Sequence, residues 1–313
     1  VYTLFKIFAF LAVKIYCRKT VANFDATTVF SGPKILASNH PNSFFDAILI
    51  AVHYPKPIYF LARGDAFKKP LVANFLKALH LIPIYRLSEG KNNLSKNDAT
   101  FKKCLELLRQ NQTILIFSEG LCVNEWNLRP LKKGTARLAL MALKEGIANL
   151  EIQPVNLNYS NFHQNPKDVI INFNEAFCPQ FDETSKEIEF HKTFNFKLKN
   201  GILNKMYIAI QVKKVALFKN KENKLKQLLL VIPASIGFIL NYWIYAIFKN
   251  FALKKTTNTV FYDSILFGLL FLCYPIIVSI LCVFLGLLVN FQAALFLFFL
   301  FPLSAWSYRE YKS

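Results

Sequence analysis

The sequence predicts an α/β domain layered around a largely parallel sheet, followed by an α-helical membrane-associated C-terminal region. Three observations carry that expectation. Between residues 33 and 177, short runs rich in β-branched and aromatic residues alternate with longer helical stretches, the pattern of strand–helix–strand crossovers. From 264 to 308 there is no charged residue in 45, enough for two helices to cross a core of about 30 Å at 1.5 Å per residue. Finally, 54 % of the chain is hydrophobic and 18 % charged, against roughly 45–50 % and 25 % in soluble domains. That balance excludes intrinsic disorder and argues against an ordinary soluble globule.

Residues 1–19 are apolar but broken by Lys6 and Lys14, with no small-residue cleavage site after them. They predict an amphipathic or membrane-anchoring helix rather than a cleaved signal peptide. Residues 20–196 form the expected α/β domain. Its strands are placed at 34–37, 57–61, 81–85, 113–117, 151–157 and 168–173, and its helices at 44–52, 67–80, 97–110 and 134–144. Polar chemistry is expected where the strands end, in the strand-to-helix loops.

Residues 197–227 follow as a basic amphipathic connector, with nine lysines against Glu222 between 197 and 226, suited to anionic headgroups. Residues 228–308 are the hydrophobic membrane region. Its first part, 228–248, is uncharged but contains Pro233, Gly237 and Asn241. If it crossed from the cytoplasm, the loop 249–263 with Lys249, Lys254 and Lys255 would lie outside, against the positive-inside tendency. A re-entrant or interfacial segment is therefore favoured over a spanning one. The hairpin 264–308, breaking near Asn290 and Gln292, then returns Arg309 and Lys312 to the cytoplasmic side. The expected location is the cell membrane, with the α/β domain facing the cytoplasm.

Charge agrees with this division. The net charge is +19; residues 1–227 hold 33 basic and 17 acidic side chains, and residues 228–313 hold five and two. A basic domain joined to an apolar tail fits an anionic membrane surface, and nucleic-acid binding gives no reason for the tail. Membrane lipids are the expected partner and nucleic acid is not. The six cysteines form no CxxC pair and have no closely spaced histidine set, so reduced thiols are expected, with neither a disulfide framework nor a metal site.

The sharpest chemical signal is Asn39-His40-Pro41-Asn42-Ser43-Phe44-Phe45-Asp46. A histidine at the end of an apolar strand, with an aspartate on the next helix, offers a general base and a carboxylate to fix its tautomer. Such an imidazole can take the proton of an alcohol while Asp46 stabilises the imidazolium. Arg86, ending the run Ile82-Pro83-Ile84-Tyr85-Arg86, is the first candidate for binding a phosphorylated acceptor, because the planar guanidinium fork matches phosphate. His53, His80, His163 and His191 fall in no recognisable constellation and read as structural.

Asn39-His40 with Asp46 resembles the first motif, NHxxxxD, of the glycerolipid acyltransferase family, which includes glycerol-3-phosphate and lysophosphatidate acyltransferases. Ile82 to Arg86 resembles its second motif. Phe117-Ser118-Glu119-Gly120 is similar to the third, and Gln153-Pro154-Val155 to the proline-containing fourth. The resemblance covers about residues 30–175, in the family's order. It implies His40 and Asp46 as the catalytic pair and Asn39, Arg86, Glu119 and Gly120 as acceptor-binding residues. It also implies an acyl-carrier-protein or coenzyme A thioester as co-substrate, with no other cofactor.

The third motif departs from the family's pattern: Cys122 stands where its arginine is expected and Ser118 where its first proline is. Lys132, Lys133 and Arg137 surround Gly134 at an expected helix start, where free backbone N–H groups also favour an anion. Arg137 or Lys133 is accordingly the candidate to supply the missing charge. Glu119 is expected to contact an acceptor hydroxyl or to anchor its loop. The expected activity is membrane-bound O-acyl transfer to 1-acylglycerol-3-phosphate. The rival acceptors are glycerol-3-phosphate and a lyso-aminolipid, and a non-catalytic lipid-binding module is the alternative outside enzymes.

Overall fold

The structure is a computed structural model and describes residues 1–85, 96–182, 184, 186–207 and 224–312. Helix α1 (Tyr2–Tyr16) leads into β1 (Lys19–Phe24) and β2 (Lys34–Ser38), then α2 (Phe44–His53) and β3 (Ile58–Arg63). A 3₁₀ turn (Gly64–Phe67) precedes α3 (Pro70–Ala78), β4 (Leu81–Ile84), α4 (Lys96–Arg109), β5 (Thr113–Phe117) and α5 (Gly134–Lys144). Strands β6 (Glu151–Tyr159) and β7 (Asp168–Phe173) and helix α6 (Glu187–Leu203) complete the domain. Helices α7 (Lys224–Lys255), α8 (Tyr262–Leu288) and α9 (Phe291–Tyr311) follow.

One seven-stranded sheet organises the domain, in the order β1-β7-β6-β2-β5-β3-β4. Every pairing is parallel except the β6–β7 hairpin. Side chains alternate between the two faces, as the two-residue period of a strand requires. Leu36, Leu115, Val155 and Leu157 point into a core shared with α1, α2 and the start of α8. Ile35, Ala37, Ile114, Ile116 and Ile152 point into the opposite core, under α4, α5 and α6. Because both faces are covered, β2 and β5 read as continuous apolar runs rather than alternating ones.

Two elements differ from the sequence reading. Strand β1 was not anticipated: Lys-Thr-Val-Ala-Asn-Phe has no clean period, because it lies at the sheet edge and pairs only with β7. The expected boundary at 196/197 cuts through α6. Phe190, Phe194, Leu198 and Ile202 recur every four residues and are buried, while the lysines between them face outward. Residues 197–203 thus belong to the domain core, and residues 208–223 of the expected connector lie outside the described residues. Gly201 admits the close approach of α6 to β6, since a Cβ there would lie 2.4 Å from Pro154 Cγ.

Residues 228–248 lie within one continuous helix. Helix α7 runs unbroken for 32 residues through Pro233, about 48 Å. Gly237 and Asn241 serve packing: a Cβ on Gly237 would meet the Ser304 carbonyl oxygen at 2.0 Å. Asn241 Nδ2 donates to Gly237 O, Phe301 O and Ser304 Oγ at 3.0–3.3 Å, and its Oδ1 accepts from Tyr274 Oη at 2.6 Å. A small residue and a satisfied amide are the ordinary means of joining apolar helices. Among the described residues, α7, α8 and α9 are each long and apolar enough to cross a membrane.

Candidate active site

His40 and Glu119 emerge from the carboxyl ends of β2 and β5, adjacent parallel strands, where open α/β sheets place their chemistry. The ladder continues past the strands through Ser118 N–H to Ser38 O at 2.9 Å. His40 Nδ1 lies 2.9 Å from Asp46 Oδ2. The imidazole stacks on Phe117, with centroids 3.8 Å apart and planes inclined by 12°.

Asp46 is fully buried, in the first turn of α2. Besides His40 it accepts from Asn42 N–H at 2.7 Å and from Tyr159 Oη at 2.6 Å. Burial pushes its carboxyl above the ordinary range, and the bonds from His40, Tyr159 and Asn42 oppose that shift. A carboxylate that already accepts from Asn42 and Tyr159 favours the tautomer with the proton on Nδ1, which puts the free lone pair on Nε2. The turn into α2 is strained: Ser43 has φ 53° and ψ −140°, a conformation that costs a non-glycine residue about 1–3 kcal/mol. Its N–H donates to Cys122 Sγ at 2.8 Å.

Glu119 is spent on backbone. Its two oxygens accept from His40 N–H at 2.8 Å and from Arg129 N–H at 2.9 Å, tying the histidine loop to the loop that precedes α5. Burial raises its carboxyl as well, against those two bonds. Asn39 is spent in the same way: its amide exchanges two hydrogen bonds with the Leu157 backbone, at 2.9 and 3.2 Å, and clamps β2 to β6. Of the two roles expected for Glu119, the geometry displays the anchor. Gly120 has φ +68°, and a Cβ there would approach Lys132 Cγ to 2.9 Å, so the turn after Glu119 requires glycine.

The expected cations are scattered. Lys133 is exposed at the start of α5. Arg137 lies over the Phe101 ring at 5.0 Å and pairs with Asp98 at 3.4 Å, on the side of α4. Arg86 lies outside the described residues. His40, Asp46 and Cys122 bring potential metal-ligating atoms within 4.8 Å of one another, but the Asp46 oxygens and Cys122 Sγ already accept the protein donors named above.

Sequence reasoning missed Asn42, Tyr159 and Asp263. Tyr159 closes a strand whose alternation aims it at the Asp46 side, and its carbonyl accepts from Trp126 Nε1 at 2.7 Å. Asp263 left the plainest trace: it is the one acidic residue between 228 and 308. It packs among Tyr16, Asn42 and Lys167.

A histidine held by a buried carboxylate at the end of parallel strands, with no hydrogen bond to its opposite nitrogen among the described residues, is an arrangement suited to a general base. The acyltransferase family profile matches residues 14–158, a stretch that contains all the motif-like segments up to Val155. A 1-acyl-sn-glycerol-3-phosphate acyltransferase of Bacillus subtilis (strain 168) is 27 % identical over 130 residues, which cover 41 % of this chain and 57 % of the relative. The match thus spans little more than half the length of that curated relative. The crystal structure of the 1-acyl-sn-glycerophosphate (LPA) acyltransferase PlsC from Thermotoga maritima aligns at TM-score 0.47 and 19 % identity, covering 65 % of this chain and 79 % of that one.

Proposed function

We propose that this protein is a membrane-bound O-acyltransferase that moves a fatty acyl chain from an acyl-carrier-protein or coenzyme A thioester to the free hydroxyl of 1-acylglycerol-3-phosphate. The observation that carries the reading is the 2.9 Å bond from His40 Nδ1 to the buried Asp46. His40 Nε2 takes the hydroxyl proton as the acceptor oxygen attacks the thioester carbonyl, and Asp46 stabilises the imidazolium. Collapse of the tetrahedral adduct breaks the carbon–sulfur bond, and the imidazolium returns its proton to the departing thiolate. The chain's own residues suffice for these steps.

The three apolar helices support attachment to a bilayer, so that a lipid acceptor reaches His40 without leaving the membrane. The basic excess of residues 1–227 favours a cytoplasmic orientation and an acidic carrier or coenzyme as donor. The test offers membranes containing the chain labelled lysophosphatidate, glycerol-3-phosphate or a lyso-aminolipid with each thioester, beside His40→Ala. Product from lysophosphatidate that vanishes in the variant is the expected result. Product from another acceptor alone would replace the acceptor named here, and none from any would end the reading.

A further inference from the structure

The apolar C-terminal region reaches into the catalytic loop. Asp263, in the first turn of α8, is fully buried, and its carboxylate accepts from Tyr16 Oη at 2.5 Å, from Asn42 Nδ2 at 2.5 Å and from Lys167 Nζ. One residue on, Ser264 Oγ accepts from Phe45 N–H at 3.3 Å. Asn42 and Phe45 both lie between His40 and Asp46 in the chain. Asn42 is doubly committed, since its backbone N–H donates to Asp46 and its side chain donates to Asp263.

We infer that Asp263 is a positioning residue for the His40–Asp46 pair, acting through Asn42. This rests on the acyl-transfer reading and extends the site beyond residues 14–158, into a region that the family match leaves out. Lys167 neutralises the buried carboxylate and Tyr16 satisfies another of its lone pairs. The third bond goes to a neutral amide of the catalytic loop and sets that loop's geometry. Among the described residues Asp263 holds the one hydrogen bond of the Asn42 side chain, whose Oδ1 is buried without a partner. Without Asp263 both polar ends of that amide are orphaned, so the loop must shift to satisfy them. The Asn42 N–H shifts with it and leaves Asp46. A displacement of about 1 Å at a catalytic group is enough for a large loss of rate.

The test compares Asp263→Ala, Asn42→Ala and the double variant in the full chain, with His40→Ala and Glu310→Gln as references. Asn42→Ala leaves the Asp263–Lys167 pair in place, so the inference stays testable even if Asp263→Ala fails to fold. The expected result is a kcat about tenfold or more below wild type in each single variant, with acceptor KM within about twofold. The double variant should be no slower than the worse single, and Glu310→Gln should match wild type. The low-field proton resonance of His40 Nδ1–H, identified by its loss in His40→Ala, should move or broaden in Asn42→Ala and Asp263→Ala but not in Glu310→Gln. Transfer and resonance both unchanged in Asn42→Ala would overturn the inference. A wild-type chain that transfers nothing would end the functional reading alone, because the resonance still reports whether Asp263 and Asn42 hold the pair.

Discussion

The domain of residues 1–207 and the apolar helices beyond residue 223 spend charge in opposite ways. In the domain most charged side chains are solvated, and pairs such as Lys103–Glu106 are more than half exposed on both sides. Residues 228–313 hold two acids, and both act as fastenings. Asp263 is buried against Tyr16, Asn42 and Lys167. Glu310 binds Lys226 and Arg309, and Arg309 Nη1 donates to Arg18 O at 2.7 Å. Where the environment is costly for charge, a charge persists only with its partner. In the apolar region, then, a lone charged residue points to an attachment.

The largest way to sharpen that contrast is His40→Ala, which should cut acyl transfer by about 10²–10⁴-fold and leave membrane attachment, followed by flotation of vesicles, unchanged. Next is Lys167→Met, which strands the Asp263 carboxylate and should destabilise the fold by about 3–5 kcal/mol. Lys103→Ala, tested beside it by thermal unfolding in detergent, should leave the midpoint in place; equal effects would erase the contrast. Leu198→Ala should cost about 2–5 kcal/mol, as expected of a core leucine, whereas a leucine in a solvated connector would cost almost nothing. Arg137→Ala is the smallest: its exposed pair with Asp98 should not affect stability. A raised acceptor KM would assign it to the acceptor phosphate, and an unchanged one would remove it from the site.

Acid separates activity from fold. Burial raises the folded-state pKa of Asp46 and Glu119 above their unfolded values. Their contribution to stability is therefore complete below the unfolded pKa and is lost as pH rises through the folded one. Acidification from neutrality protonates Asp46, and with it the partner of His40, without cost to folding from these two groups. Acyl transfer should fall while circular dichroism holds; coincident loss of both would contradict this account.

Much of this was legible in the sequence. The β2 and β5 strands show as apolar runs, and the His40–Asp46 spacing places its pair across a strand-to-helix turn, because that geometry is local. Strand β1 was not legible, since an edge strand with one neighbour keeps no period, and α6 was masked by its lysines, which surround a stripe only one residue wide per turn. Pro233, Gly237 and Asn241 could be noted in the sequence but their use could not, because propensity describes an isolated helix; packed against α9, Gly237 and Asn241 become contacts. Asp263 reaches Asn42 across 221 residues of chain, a separation that no local pattern encodes.

That separation also orders events in time. A ribosome releases Tyr16, Asn42 and Lys167 well before Asp263, so the emerging domain first carries an ammonium group at position 167 with no carboxylate to meet it. That ammonium meets the Asn161 and Phe162 carbonyl oxygens first, and gains its carboxylate when the first turn of α8 follows α7 in synthesis. The loop around His40 thus receives its bond from Asn42 to Asp263 after its contacts within the domain, and a nascent chain stalled before residue 263 lacks that bond.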